Sequence, residues 1–436
     1  VAGTPDQVDV VVNVKERSSG QFTFGLGYSQ IGKLITSVQL DQANFLGTGN
    51  RVGVGIQKNS YSKSFNFSFQ DPYFTEDGVS VGYNVRYSDY DFGDFNTARY
   101  TSSDAAGEAV IGIPLSETDS IQFALGLDRN QLTTTDGSTP PQLVDYMIDT
   151  LGDRERYFST LGDSPISFHE NDDRLTDPTG SLTPSENDDE DPNTTDPLQY
   201  RYGPNRKWII NAWRAQIGWA RDSRNDFLMP TRGTYNRLHG EFVLPGSDLE
   251  YYKLSYSFEH YLSINRWLVL KIGTELGYGD SYGDTADRLC YERDDDNVAI
   301  IETGEKCGLP FFKNFFAGGP QSVRGFETNT LGPFYQVGNL SLRQPLGGAV
   351  KATGTFEFLF PTLFDSRGTR LSAFVDYGNV FASPRDVELR EFRFSAGVAL
   401  QWQSPMGPIG ISWAMPFQTD RNDRVERLQF SFGGQF

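Results

Sequence analysis

The sequence predicts an all-β fold, a sixteen-stranded antiparallel transmembrane β-barrel, and three observations predict it. The first is compositional. Among 436 residues there are 33 Phe, 21 Tyr, 6 Trp and 45 Gly, yet mean hydropathy is −0.46 and no apolar run approaches the ~20 residues of a membrane helix. The second is a period-two alternation that begins at Gln21 and recurs to the last residue, the spacing that puts apolar side chains on one sheet face and small or polar ones on the other. The third is the rhythm of the connections, in which long ones follow odd-numbered strands and short ones follow even-numbered strands.

Taken in order, Phe22, Phe24, Leu26 and Tyr28 alternate with Thr23, Gly25 and Gly27 in the opening strand. Strands follow near 34–43, 51–58, 63–73, 79–88, 104–113, 120–130, 208–221, 233–244, 251–264, 266–279, 347–360, 370–381, 391–403, 408–417 and 426–436. One face of these strands is aromatic and aliphatic; the other carries Lys, Glu, Gln, Ser, Thr and Gly. That is inverted for a water-soluble barrel. It suits a lipid-facing exterior around a watery lumen, closed so that no strand edge leaves backbone groups unpaired in lipid. The longest connections, 131–207 and 280–346, follow strands seven and eleven, so both emerge on one side.

Charge excludes one class of partner. Lys+Arg number 38 against 57 Asp+Glu, a net −19, which repels polyanions and argues against nucleic acid. Between Glu170 and Asp196 ten acidic residues face one Arg174, the composition of a solvated loop. Catalytic chemistry is thinly supplied: three histidines (His169, His239, His260) lie near no nucleophile elbow, and there is no phosphate-cradling glycine loop. Nothing implies a metal or a cofactor. Cys290 and Cys307 stand in a polar stretch where a disulfide closing one loop is expected, in an oxidising compartment; two free thiols are the alternative.

The most informative segment runs from Phe315 through Ala317-Gly318-Gly319-Pro320-Gln321-Ser322 to Val323-Arg324-Gly325-Phe326, and on to Asn329 and Gly332-Pro333. Its aromatic content is unusual for a loop projecting into water, and an inward fold is expected. An arginine brought away from bulk water needs carboxylate partners. In strand twelve, outward Ala352, Gly354, Phe356 and Phe358 turn Lys351, Thr353, Thr355 and Glu357 inward. In strand thirteen, outward Ala373, Val375 and Tyr377 turn Phe374 and Asp376 inward. Arg324 is therefore expected to fork between Glu357 and Asp376.

Val323-Arg324-Gly325-Phe326 behind a Gly-Gly pair, Asp71-Pro72-Tyr73-Phe74, Phe374-Val375-Asp376-Tyr377-Gly378, the stretch 399–408, and Leu428-Gln429-Phe430-Ser431-Phe432 before Phe436 resemble the BamA family of outer-membrane assembly factors of Gram-negative bacteria. The resemblance covers the whole chain. It implies that residues 1–17 are the end of the last periplasmic POTRA domain, that 18–436 are the barrel, and that 131–207 and 280–346 are extracellular loops. It also implies a barrel that folds and inserts client proteins without ATP, through a lateral seam between the first and last strands. Phe22, Phe24, Gly25 and Gly27 would form one side of that seam, and Phe430, Phe432, Gly433 and Gly434 the other, with glycine weakening the pairing. The implied partners are unfolded outer-membrane clients, assembly lipoproteins reached mostly through upstream domains, and outer-membrane lipid. A related secretion barrel or a passive porin is the alternative.

Overall fold

Sixteen strands close into one antiparallel barrel among the described residues of a computed structural model of the chain. The structure describes residues 18–135, 138–152, 158–159, 165–166, 205–286, 290–293, 299–302, 308–336, 343–361, 368–404 and 407–433. The strands are β1 (Gly20–Ser29), β2 (Lys33–Gln42), β3 (Arg51–Lys58), β4 (Ser62–Asp71), β5 (Ser80–Asp91), β6 (Thr101–Pro114), β7 (Asp119–Thr135) and β8 (Asn205–Asp222). There follow β9 (Gly233–Val243), β10 (Tyr251–Asn265), β11 (Leu268–Ser281), β12 (Val350–Phe360), β13 (Thr369–Phe381), β14 (Arg393–Ser404), β15 (Gly407–Gln418) and β16 (Leu428–Phe432). Each strand pairs with the next in the chain, and β1 pairs with β16. The connection after β7 spans 136–204 and that after β11 spans 282–349.

The two faces separate as the alternation requires. Phe22 and Phe24 on β1 are 68% and 64% exposed, and Tyr83, Val85, Leu125, Leu127, Trp213 and Ile217 also stand outward. No described helix is long and apolar enough to cross a membrane; the crossing is made by strands. The opposite face holds charge in pairs. Arg214 of β8 lies 3.1 Å from Asp128, 3.3 Å from Glu108 and 3.5 Å from Glu241, and Lys351 lies 2.8 Å from Glu275. Arg214, largely removed from bulk water, is stabilised by its carboxylate partners.

Strand ends differ from the sequence reading where hydrophobic alternation stops marking them. β7 runs to Thr135 and β8 starts at Asn205, extending a ladder whose last pairs are Asn205↔Thr135 and Arg206↔Thr134. Those residues are polar on both faces, so period two gives no signal there. The connection after β7 is also not wholly irregular: helix α1 covers Pro141–Leu151, and its Leu143, Val144 and Met147 are the i, i+1, i+4 stripe of an amphipathic helix. At the other end of the chain the final strand is shorter than 426–436. β16 ends at Phe432, where Gly433 takes φ +66° and leaves the extended conformation, although its N–H still donates to the Pro408 carbonyl at 2.8 Å. Residues 1–17, the acidic stretch 170–196, Cys307 and Gly434 lie outside the described residues, as does the side chain of Cys290.

One apolar cluster caps the barrel. It gathers Ala98 and Tyr100 from before β6, Leu132, Leu143 and Met147 around α1, Trp208 and Ile210 from β8, Leu249 and Tyr251 from the β9–β10 junction, and Leu309 and Phe311 from beyond β11. All of these connections follow odd-numbered strands, so one end of the barrel is roofed by apolar packing. Trp208 adds a hydrogen bond from its indole Nε1 to the Gly152 carbonyl at 3.1 Å, fixing the helix end. Trp208→Ala should remove both the bulk and that bond, costing roughly 3–5 kcal/mol by the usual cost of truncating a buried aromatic. Hydrogen exchange of the α1 amides would report it as a loss of protection; unchanged protection would mean that α1 is held by other contacts.

Candidate functional site

The segment 315–333 is built as a sequence of tight turns. Phe315 bridges Gly348 and Ala317 bridges Leu331; the Gly319 N–H donates to the Phe326 carbonyl at 3.1 Å, closing the loop on itself. Val323 and Phe326 are fully buried with Ala317, Leu331 and Val380. These apolar side chains seat the loop on the barrel wall, and Arg324 is held between them. Gly325 sits at φ +91°, and a Cβ there would meet the Ala414 Cβ at 3.0 Å and Pro416 at 3.2 Å. Both the conformation and the close approach to β15 require glycine at this position.

Arg324 reaches the polar faces of β12 and β13. Its Nε donates to Asp376 Oδ2 at 2.7 Å and its Nη2 to Oδ1 at 2.8 Å, while the backbone N–H donates to Oδ2 at 3.0 Å. Nη1 donates to Glu357 Oε1 at 3.1 Å and Nη2 to Thr355 Oγ1 at 3.2 Å. The guanidinium carbon lies 3.3 Å from the centre of the Phe374 ring, a close cation–π stack. Ser372 donates to Glu357. Asp376 is wholly buried. Burial opposes the charge on Arg324, but hydrogen bonding and attraction from Asp376, then attraction from Glu357, outweigh it and hold the guanidinium above its ordinary value. A planar donor fork meets planar acceptors and a ring face, which a lysine cannot reproduce.

The second element is the seam. β16 pairs with β15 over five register positions, Ile409↔Phe432 to Trp413↔Leu428. It pairs with β1 over two, Tyr28↔Phe432 and Ser29↔Ser431. The neighbouring β1–β2 hairpin has ten. From Gly20 to Gly27, β1 has no register partner in β16 among the described residues. Tyr28 stacks on Phe430 at 5.7 Å across the junction, and a Cβ on Gly27 would meet the Phe432 carbonyl oxygen at 2.7 Å. At Gly27 and Gly433 glycine permits a close crossing of two backbones, a role that sequence spacing does not reveal.

Loop and seam are in contact, which sequence reasoning missed. Gly325–Phe326 pairs with Val425–Glu426 just before β16, and the Glu327 N–H donates to the Arg424 carbonyl at 2.9 Å. Gln429 of β16 accepts from the Gly325 N–H at 3.3 Å and donates to the Phe326 carbonyl at 2.7 Å. The available signal was Gln429 itself, a polar residue between the outward Leu428 and Phe430.

Arg324→Ala strands two buried carboxylates, and breaking such a group by removing one partner costs about 3–5 kcal/mol. The barrel's heat-modifiable gel shift should move to lower temperature, and Arg324→Lys should recover only part of the loss. An unchanged transition in Arg324→Ala would mean that the ion group contributes little to holding the loop.

Comparison with known proteins agrees with the barrel fold. The outer membrane protein assembly factor BamA of Neisseria meningitidis serogroup B is 28% identical over 467 residues, covering 100% of this chain and 49% of that protein. The corresponding factor of Nitratidesulfovibrio vulgaris is 23% identical over 441 residues, covering 99% of this chain and 43% of its own. The chain thus spans about half the length of these relatives. The crystal structure of BamA from Haemophilus ducreyi lacking POTRA domains 1–3 superposes with a TM-score of 0.72 at 25% identity, covering 96% of this chain and 70% of that one. The Omp85 superfamily domain matches residues 44–436, nearly the whole barrel, and the chain belongs to the Omp85 superfamily.

Proposed function

We propose that this chain is the barrel of an outer-membrane protein assembly factor that folds and inserts client β-barrels through the junction of β1 and β16. The observation that carries this reading is that, among the described residues, β1 pairs with β16 at two positions, against five to seventeen between other neighbouring barrel strands. Backbone hydrogen bonds hold a sheet in lipid, where water offers no substitute. The junction with the fewest register pairs is the one that opens at least cost. A client strand adds to the exposed backbone by β-augmentation, which reads main chain rather than side chains and so accepts many clients. This is assistance to folding, with no bond made or broken in the client, so the chain acts as a folding factor rather than an enzyme.

In this reading Val323, Arg324, Gly325, Phe326, Glu357 and Asp376 are an inward loop lock that holds the wall on the β16 side of the opening seam. Phe22, Phe24, Gly25, Gly27, Phe430, Phe432, Gly433 and Gly434 form the seam. Outward Phe430 and Phe432 meet bilayer lipid beside a short strand, where the membrane thins to match. Residues 1–17 end the last POTRA domain, 18–436 are the barrel, and the connections after β7 and β11 face the cell exterior. Cys290 and Cys307 pair there. Assembly lipoproteins dock on domains upstream. The apolar roof over the odd-numbered end favours this reading over a passive porin, which needs an open lumen.

The test is the folding rate of a urea-denatured client barrel added to liposomes that hold the whole protein, its Arg324→Ala variant, or no protein. Acceleration of about tenfold or more by the intact protein, reduced by Arg324→Ala, is expected. Steady ion conductance without acceleration would replace the proposal with a pore.

A further inference from the structure

The β1–β16 ladder stops at Ser29↔Ser431, yet the next pair of backbone groups on β16 is occupied. The Gln30 side chain supplies the occupant. Its Nε2 donates to the Leu428 carbonyl at 2.9 Å, and its Oε1 accepts from the Phe430 N–H at 3.0 Å. These are the acceptor and donor that an antiparallel neighbour would take with the N–H of residue 32 and the C=O of residue 30. In register, residue 30 is the position that would face Phe430. The main chain cannot fill it because residues 30–32 turn into β2. A primary carboxamide carries both a C=O and N–H donors, and one N–H lies on the same side as its C=O, so a single side chain continues the ladder where the backbone leaves it.

A second residue aims this amide. Glu426 Oε1 accepts from Gln30 Nε2 at 2.8 Å, and Glu426 Oε2 accepts from Gln429 Nε2 at 3.3 Å. Gln429 also donates to the Phe326 carbonyl, and Glu426 itself lies opposite Gly325 in the short pairing before β16. One carboxylate therefore receives one glutamine from the seam and another that grips the loop beside Arg324.

We propose that Gln30 is a backbone-mimicking latch over the Leu428–Phe430 edge of β16, and that Glu426 positions it and ties it to the Arg324 loop. An incoming client strand must displace the Gln30 amide to take those two backbone groups. The latch is weak enough to yield, since its bonds come from one exchangeable side chain, and it keeps the edge satisfied in lipid meanwhile. Movement of the loop withdraws Gln429 and Glu426 together, and with them the support that orients Gln30. Client displacement rests on the assembly-factor reading above; the latch itself does not.

The experiment is amide exchange of the ¹⁵N-Phe-labelled whole protein in lipid nanodiscs, read by NMR. In Gln30→Leu the Phe430 amide should exchange at least tenfold faster, while the Phe394 amide in the β13–β14 ladder stays unchanged. Gln30→Asn, one methylene shorter, should do the same and guards against an effect of the apolar side chain. Glu426→Ala should speed Phe430 exchange several-fold, and the double variant Gln30→Leu with Glu426→Ala should be no faster than Gln30→Leu alone, because Glu426 acts through Gln30. An unchanged Phe430 amide in both Gln30 variants would overturn the latch, and additive effects would overturn the positioning role. Client folding measured on the same samples separates the two readings. Faster exchange with no client folding in the unaltered protein sinks the assembly function alone; active folding with unchanged exchange sinks the latch alone.

Discussion

Hydrocarbon offers no hydrogen bonds, and every other feature of this chain answers to that fact. A backbone N–H or C=O left open in lipid costs several kcal/mol, so the sheet closes, each strand taking both neighbours and the first meeting the last. The same constraint makes the junction of β1 and β16 distinctive. Where two register positions among the described residues hold the two strands together, the Gln30 side-chain amide takes the next backbone groups on β16, and an aromatic stack and close-packed glycines add contact without hydrogen bonds. The wall elsewhere has ladders long enough to be permanent.

Beside that short junction the loop after β11 is anchored to β12, β13 and β16. Its charge group is expensive to assemble, since Asp376 is wholly buried and Glu357 nearly so. Burying ions in this way is a weak route to stability but a strong route to a single arrangement, because any displaced member leaves an unpaired charge. Arg324 uses four side-chain hydrogen bonds and a ring face to specify one position of the loop.

Much of this was legible in the sequence, for identifiable reasons. Period two is the signature of a two-faced sheet, so Phe65, Phe67 and Phe69 against Ser64, Asn66 and Ser68 give strand, face and register together. The inward side of β12 and β13 follows from the same parity, which is why Glu357 and Asp376 could be matched to Arg324 before any coordinates. Where both faces are polar, as at Thr133–Thr135 and Asn205–Lys207, parity is silent and the strand ends are lost. α1 was passed over because a single helix inside a long connection has a 3.6 period that a search for alternation does not detect. Gln30, Gln429 and Glu426 are ordinary polar residues in sequence. Their meaning comes from two chain ends brought together in space, separated by about four hundred positions.

The contacts of the loop also carry an order of events. Arg324 and Gly325 precede in the chain the strands they grip: Asp376 lies on β13, Ala414 and Pro416 on β15, and Gln429 on β16. Until the last of these is in place the loop has only half its footing. Arg324 can find Glu357 early, but the Gly325 N–H lacks its Gln429 acceptor until the carboxyl-terminal strand arrives. Full docking of the loop is therefore a record that the barrel has been completed, written by the final strand into a segment made a hundred residues before it.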